Sequence, residues 1–316
     1  MLTGMMLNQL LSIKAMESAM YKLGIPDEKD FKSITEFFDY ASEKLITRDY
    51  DFGFRGHSDS DWELETTLSR FVSEIQSHYP ERSANYEREL LTDLCLQRLH
   101  KQFKNNLITN NDLPQDRIEK IDLWQYGQHF GLPSPLLDWT HSPFIALFFA
   151  ISEPVRTGAE SSRCVWVINL NMLTHVNTQV IEEVRPKYEN SISPESALNQ
   201  QFPISEIVQE LNENNRRIAF QQGFFTKHEY YKSLEVWLKR VVGEMSFHKG
   251  DAPVLTKLTF PCSEKERISM LDRLDKMNIN NRTLFPDIFG SVKGAVDTVY
   301  RSFQAPKVRG FAFSQD

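Results

Sequence analysis

The chain has 316 residues, of which 41% are hydrophobic and 25% charged, and these proportions are ordinary for a globular protein with a sizeable core. A formal net charge of -7 argues against a dedicated nucleic-acid binder, which needs a basic face, but it leaves room for a local basic cleft. The three cysteines include no CxxC pair, so no thiolate zinc site or redox centre is expected.

The start of the chain is amphipathic and rich in methionine, but it lacks the basic beginning and the uninterrupted apolar block of a signal peptide. No apolar run in the sequence is long enough to cross a bilayer. These features indicate a cytoplasmic protein with reduced cysteines and no membrane partner. The amino-terminal helix that we predict here is a candidate surface for a protein partner.

Helix and strand signals alternate along the first half of the chain. Ser33 and Glu36 form a capping box that predicts a helix start, and residues 50–55, aromatic at alternate positions, are typical of a strand. Apolar residues on one face of 87–103 predict a long helix. Leu136–Thr140 has the pattern of a short strand, and the proline that follows at 143 suits the first turn of a helix.

The second half continues in the same way. Residues 164–170 and 255–260 are predicted as buried strands, and residues 185–203, which show no period, as a loop. Alternation of apolar residues over 216–226 predicts a strand that includes Gln222. A capping box at Ser263 and an apolar stripe around residues 292–299 predict two more helices. The expected fold is α+β, with a mixed central β-sheet, flanking helices and an amino-terminal helical extension.

Three clusters combine glycine or proline with polar side chains. In the first, Arg55 at a strand end, beside Gly56, can hold a phosphate through its planar fork of donors, or it can pair with a surface carboxylate. The second cluster contains His129 and Asp138. His129 can exchange a proton near neutral pH, but a buried, hydrogen-bonded histidine fits the pattern too. Asp138 is predicted at the end of a strand just before a helix, where ligand sites often form and where an aspartate can also cap the helix.

The third cluster is Gln221-Gln222-Gly223 on the late strand. An amide in that place bonds to the backbone or binds a ligand's amide or ribose. The sequence contains no Walker loop, Rossmann fingerprint, GxSxG elbow or HExxH, so the common ATPase, dehydrogenase, hydrolase and zincin assignments do not apply. Asp138 and His141 are too sparse for a metal site, and no metal is expected.

These clusters resemble the motifs of the FRG domain family, named for its Phe-Arg-Gly. The opening motif is matched by Phe54, Arg55, Gly56, Trp62, Leu64, Leu68 and Arg70. The central motif is matched by Gln128, His129, Gly131, Leu132, Pro133, Leu136, Leu137, Asp138, Trp139, Thr140, Pro143, Ala146 and Phe149. The late match comprises Arg217, Gln221, Gln222, Gly223, Phe225 and residues 284–287. Ser134 and Pro135 stand where the family more often has threonine and arginine.

The resemblance implies a domain over residues 33–302, preceded by a helical extension over 1–32 and followed by a tail over 303–316. It further implies a bacterial protein with a role in phage defence or in a toxin system. A more distant resemblance, to mono-ADP-ribosyltransferases of the Arg-Ser-Glu type, is carried by an aromatic-Arg-Gly strand and a later Ser/Thr-bearing strand that leads into an Ala-rich helix.

That second resemblance implies NAD as the substrate. Arg55 would bind its pyrophosphate, Gly56 would offer backbone to the nicotinamide amide, and Trp139 or Thr140 would support the nicotinamide ribose. The late strand has Gln221 and Gln222 where such enzymes carry a catalytic glutamate.

Asp138 is the one carboxylate inside the matched motifs that can stabilise a positive ribosyl transition state, and we predict it as catalytic together with His129. Three alternatives stay open. The same residues can sense a nucleotide or a protein without turnover, His129 and Asp138 can serve a metal-dependent nuclease or phosphoesterase, or Arg55, His129 and Asp138 can form a purely structural network. A protein or nucleic-acid target also stays open.

Overall fold

The computed structural model of the chain describes residues 26–46, 51–84, 86–110, 118, 122–155, 161–188, 202–209, 216–228, 232–245 and 253–303. Within these residues, seven strands form one mixed sheet in the order β1-β7-β4-β2-β3-β6-β5. The strands are β1 Asp27–Asp30, β2 Phe52–His57, β3 Leu136–Thr140, β4 Ser161–Asn169, β5 Ser205–Val208, β6 Gly223–His228 and β7 Leu255–Cys262. The expected α+β fold with a mixed central sheet is confirmed.

Helices cover both faces of the sheet. In the described part of the chain they are α1 Ile34–Tyr40, α2 Thr67–His78, α3 Pro80–Ser83, α4 Arg88–Asn110, α5 Leu123–His129, α6 Pro143–Ile151, α7 Leu170–Gln179, α8 Arg185–Tyr188, α9 Arg216–Gln221, α10 Leu234–Gly243, α11 Glu264–Lys276, α12 Asn281–Leu284 and α13 Ile288–Ser302. Single π-helical turns, Ala41–Leu45 and Val180–Val184, extend α1 and α7.

The unbroken apolar run of β4 follows from its position between β2 and β7, with helices on both sides. Cys164 and Trp166 pack into one hydrophobic core together with α7 and α10. Val165 and Val167 point the other way, into a second core formed with α1, α6 and α11. Because successive strand residues face opposite sides, a strand that is covered on both faces must be apolar throughout.

Local signals set several helix starts as expected. Ser263 and Glu266 form the predicted capping box at the start of α11. Pro143 occupies the first turn of α6, where its missing N–H has no intrahelical partner to lose, and Ser142 caps that helix by accepting from the Ile145 N–H. Packing and capping agree at these positions, which is why the sequence was sufficient to predict them.

Three expectations about local structure are wrong in the described residues. The end of the predicted helical extension is a strand, Asp27–Asp30, because it adds to the edge of β7 in parallel register; residues 1–25 lie outside the description. The predicted loop over 185–203 begins with the helical turn Arg185–Tyr188, and its residues 189–201 are outside the description. The strand expected over 216–226 is instead the helix Arg216–Gln221 followed by β6.

The last of these corrections changes the structural position of Gln222, a candidate ligand-binding residue. Alternation over a few positions fits a single helical turn as well as a strand, and here tertiary contacts favour the helix. The helix places Arg217 and Gln221 one turn apart on the same side, where they bind Asp287 and the Leu284 carbonyl. Gln222 then adopts a left-handed conformation, with φ of 48°, that turns the chain into β6. Gln222 therefore lies in a turn and is exposed.

Candidate active site

The sheet opens at its centre. β2 and β3 are antiparallel and share one register pair, Phe54 with Thr140. Beyond that pair β2 continues to His57 and β3 extends back to Leu136 in the same direction, yet the two strands are not paired there. The strands therefore diverge, and the polar backbone between them needs other partners.

A cavity of about 500 Å³ lies at this split, a size typical of small-molecule sites. It is lined by Phe54, Arg55, Gly56, Ser58, Trp62, Thr67, Gln125, Gln128, His129, Asp138, Trp139, Thr140, Phe149, Arg217, Ile218, Gln221, Phe225 and Phe285. Arg55 and Asp138, which belong to separate sequence clusters, both line this cavity. The late cluster contributes Gln221 and Arg217 to the lining and not Gln222.

Arg55 bridges the split. Its Nη1 donates to the backbone carbonyl of Asp138 at 2.8 Å and reaches Asp138 Oδ2 at 3.3 Å. The bond to the Asp138 carbonyl gives that oxygen a donor, which β2 does not provide because the strands are unpaired there. The Arg55 side chain is 20% exposed and that of Asp138 61%, so water reaches the ion pair. A pair this open contributes little to stability, which leaves its placement at the cavity to be explained.

Asp138 is held from its other side by Gln128. The Gln128 Nε2 donates to Asp138 Oδ1 at 2.7 Å, and the side-chain oxygen Oε1 of Gln128 accepts a hydrogen bond from the Ser134 hydroxyl. Ser134 is fully buried, and its backbone N–H donates to Thr67 Oγ1 at 2.8 Å. The Gly-Leu-Pro-Ser-Pro turn thus fixes the amide that orients the carboxylate.

The opposite wall carries a second arginine. Arg217 Nε and Nη2 both bind Asp287 Oδ2 at 2.6 Å, and the guanidinium lies over the Phe285 ring with 5.2 Å between its Cζ and the ring centroid. Asp287 Oδ1 also accepts from the Gly290 N–H at 3.2 Å, in the first turn of α13. The described lining residues therefore include two guanidinium groups, Arg55 and Arg217, each paired with one carboxylate, Asp138 and Asp287.

His129 lies at the end of α5 and is exposed at the cavity rim. Partial burial and then the charge of Arg217 lower the pKa of its imidazole, while Asp287 acts in the opposite direction. A histidine with a lowered pKa is neutral at pH 7 and can accept a proton.

The remaining predicted ligand residues have partners within the protein. Trp139 is 3% exposed and its indole N–H donates to Thr226 Oγ1 at 2.9 Å. The Thr140 hydroxyl donates to the Gln221 carbonyl at 2.7 Å and accepts from the Ser142 N–H. Both residues line the cavity, but the polar group of Trp139 joins β3 to β6, and that of Thr140 joins β3 to the ends of α9 and α6.

Gly56 also has a packing reason. A Cβ at this position would lie 1.9 Å from the Ala146 carbonyl oxygen and 2.6 Å from the Ala150 nitrogen. Helix α6 therefore packs directly on the backbone of β2, which no side chain at residue 56 would allow. Close helix packing thus explains this glycine beside the arginine without a ligand.

Sequence reasoning missed His57, which follows Arg55 by two residues and accepts from its Nε. The signal was available, because residues i and i+2 of a strand share a face. It also missed Asp287 as the partner of Arg217, a contact across 70 residues. Among the described residues, no group of three or more His, Cys, Asp or Glu side chains is placed to hold a metal ion. In the same part of the chain, no helix is both long and apolar enough to span a membrane.

Residues 50–158 match the family model of the FRG domain. This part of the chain is similar to the FRG domain. The match spans β2 to α6 and so includes Arg55, Gln128 and Asp138, whereas Arg217 and Asp287 on the opposite wall lie outside it. None of the curated proteins or solved structures compared with the chain matches it.

Proposed function

We propose that the cavity at the split between β2 and β3 binds NAD and breaks its bond between ribose and nicotinamide. The observation that carries the proposal is the position of Asp138. It is the one carboxylate among the described lining residues, and Arg55 and Gln128 hold it in place between β2 and α5. An oriented carboxylate beside an anion-binding arginine suits a substrate with a phosphate near a carbon that becomes positive.

Arg55 is the proposed phosphate anchor. Its hydrogen bonds within the protein use Nε and Nη1, and no hydrogen bond to the described residues uses Nη2. The two Nη2 donors can therefore bind two oxygens of a pyrophosphate. The aromatic rings of Phe149, Phe225 and Phe285 line the space where a flat base can pack, and Arg217, paired with Asp287, lies on the opposite wall.

In the proposed reaction, the bond between ribose C1′ and the nicotinamide nitrogen breaks and its electron pair leaves with nicotinamide, which becomes neutral. The positive charge that develops on the ribosyl carbon is stabilised by the negative charge of Asp138. Water or a nucleophile of a target molecule then bonds to C1′ and loses a proton to neutral His129, which lines the cavity. Hydrolysis gives ADP-ribose, nicotinamide and a proton.

Consumption of NAD, or its transfer to a protein or nucleic-acid target, is the kind of activity that a toxin or phage-defence effector uses. We infer that role from the resemblance to FRG proteins, and it rests on the reaction proposed above.

A specific observation favours a second candidate, a sensing module that binds a nucleotide without turnover. Strand β6 has the sequence GFFTKH and contains no carboxylate, and the residues before it are glutamines. Both oxygens of Asp138 already accept hydrogen bonds. A site built in this way can hold an anionic ligand through Arg55 and Arg217 and leave it intact.

Nicotinamide release distinguishes the two candidates. The purified protein is incubated with NAD, alone and with cell extract, beside Asp138→Asn and the control Asp39→Asn, which changes an exposed carboxylate on α1 outside the cavity lining. The proposal predicts release by wild type and by the control, and a loss of about a hundred-fold or more in Asp138→Asn with NAD binding retained. Equal release by wild type and Asp138→Asn contradicts the role of Asp138. Binding without release supports sensing.

A further inference from the structure

His57 lies at the end of β2, on the same face as Arg55 and two residues after it. It is 6% exposed and is not among the residues that line the cavity in the described part of the chain. Any effect of His57 on a ligand must therefore pass through a neighbour. That neighbour is Arg55, whose Nε donates to His57 Nε2 at 3.1 Å.

The contacts of the imidazole select one tautomer. A guanidinium has donors only, so the Nε2 that faces Arg55 must be the acceptor and carries no proton. The proton of the neutral ring is then on Nδ1, which lies 3.3 Å from the Trp62 carbonyl oxygen and donates to it. The two ring nitrogens thus connect Arg55 to the loop that follows β2.

The ring stays neutral in this environment. Burial, followed by the positive charge of Arg55, lowers the pKa of His57 to about 3. A protonated ring would place a second donor against the Arg55 Nε–H and lose the acceptor. The acceptor role is therefore available over the whole neutral range.

Fixing two edges of a planar guanidinium fixes the third. Arg55 Nε is held by His57, and Nη1 is held by the carbonyl and carboxylate of Asp138. The Nη2 edge then has one direction, and it belongs to a side chain that lines the cavity. A guanidinium held at one edge only would rotate and lose entropy when an anion binds.

We infer that His57 is a positioning residue, which accepts the Nε–H of Arg55 and so holds the remaining edge of the guanidinium ready for an anionic ligand. This inference rests on the proposed role of Arg55 as phosphate anchor. It assigns to the histidine after Phe-Arg-Gly a part in ligand affinity rather than in packing alone.

Two substitutions separate the two hydrogen bonds of the ring. In His57→Gln the amide reaches about as far as Nε2 and can keep an oxygen acceptor for Arg55. In His57→Asn the amide reaches only as far as Nδ1, so it can bond to Trp62 but leaves the Arg55 Nε–H without its acceptor. A role in packing alone predicts that the two variants behave alike at the cavity.

The experiment has two readouts, inorganic pyrophosphate affinity and the nuclear magnetic resonance signal of the Arg55 Nε–H, assigned with an Arg55→Lys variant. We expect a slowly exchanging Arg55 Nε–H in wild type and His57→Gln, and its loss in His57→Asn. Pyrophosphate affinity should fall about ten-fold in His57→Asn and stay near wild type in His57→Gln. His57 in wild type should show the Nδ1–H tautomer, a result that needs no variant to fold.

An Nε2–H tautomer in wild type, or an Arg55 Nε–H signal that is unaffected in His57→Asn, overturns the inference. So does equal pyrophosphate affinity in wild type and both folded variants. If wild type binds neither pyrophosphate nor NAD, the proposed function fails, and the Arg55 signal still decides whether His57 holds the guanidinium.

Discussion

Arg267 and Arg55 each bind a carboxylate, but water reaches the two ion pairs to different degrees. Arg267 is 4% exposed; its Nε and Nη2 bind the two oxygens of Glu264 at 2.7 Å, and its Nη1 donates to the carbonyls of Ile151 and Ser152 at the end of α6. Arg55 is more open and leaves one edge without a hydrogen bond to the described residues.

The difference separates two uses of the same side chain. Arg267 joins α11 to the end of α6, and all three edges of its guanidinium have acceptors in the protein, so a ligand has nothing to bind. Arg55 is held at Nε and Nη1, and its Nη2 donors have no acceptor among the described residues. Stability should therefore depend more on Arg267, and ligand affinity more on Arg55.

The largest expected effect on stability is that of Arg267→Met. Removing the guanidinium leaves the Glu264 carboxylate with the Val155 N–H alone and takes the donor from two helix-end carbonyls, at a cost of about 3–5 kcal/mol in the free energy of unfolding. Urea unfolding measures it. The double variant Arg267→Met, Glu264→Leu should recover part of the loss, because no unpaired charge remains. A loss below about 1 kcal/mol in the single variant would remove the contrast between the two arginines.

The free energy of unfolding measured as a function of acid pH tests whether His57, the partner of Arg55, is buried and neutral. The pKa of buried His57 falls from 6.5 to about 3 in the folded protein, so the unfolded chain binds a proton in this range that the folded chain does not. Stability is therefore complete above pH 6.5 and decreases as the pH falls, by up to about 1.4 kcal/mol per pH unit for this group. Buried His228, with a pKa lowered to about 4, adds a similar slope.

The control for this titration is His57→Gln, which cannot take up the proton. Between pH 6.5 and about 4, its free energy of unfolding should therefore fall less steeply with decreasing pH than that of wild type, by the contribution of one proton. Arg267→Met should leave that range unchanged and alter the curve at lower pH. Burial raises the pKa of Glu264, but hydrogen bonds from Arg267 and from the Val155 N–H outweigh it, and the net pKa is lowered. Stability from that pair is lost as the pH falls through the lowered pKa. An unchanged slope in His57→Gln would show that the ring is not buried and neutral.

The smallest expected effect on stability is that of Arg55→Met. Its ion pair with Asp138 is open to water and contributes about 1 kcal/mol or less, and the loss of a donor to His57 adds a similar amount. Thermal or urea unfolding should show a decrease of about 1–2 kcal/mol, smaller than that of Arg267→Met. Equal losses in the two variants would favour the purely structural network.

The sequence was sufficient where local and tertiary preferences agree. Asp138 was expected on a short strand that is followed by a helix, and it lies in β3, with α6 beginning three residues after that strand. The Ser263 capping box gave the start of α11. These features depend on a few neighbouring residues, and so their physical causes can be read directly from the chain.

Other parts of the site depend on contacts across the chain. The split between β2 and β3 begins where their pairing ends, at Phe54 and Thr140, which are 86 positions apart. No local sequence pattern indicates that the pairing stops there. Gln222 was expected on a strand because its apolar neighbours alternate, whereas binding of Arg217 to Asp287 favours a helical turn. Distant partners decided both cases.

The most direct test of the account is a calorimetric titration of NAD into wild type, Arg55→Met and a control, Arg98→Met, which removes an exposed arginine on α4 that does not line the cavity. We predict one site per chain in wild type and in the control, and an affinity that is about ten- to hundred-fold lower in Arg55→Met, because a charged donor pair to the phosphate is lost. No heat of binding in wild type, or equal affinity in wild type and Arg55→Met, would contradict the assignment of the cavity at the β2 and β3 split as an NAD site.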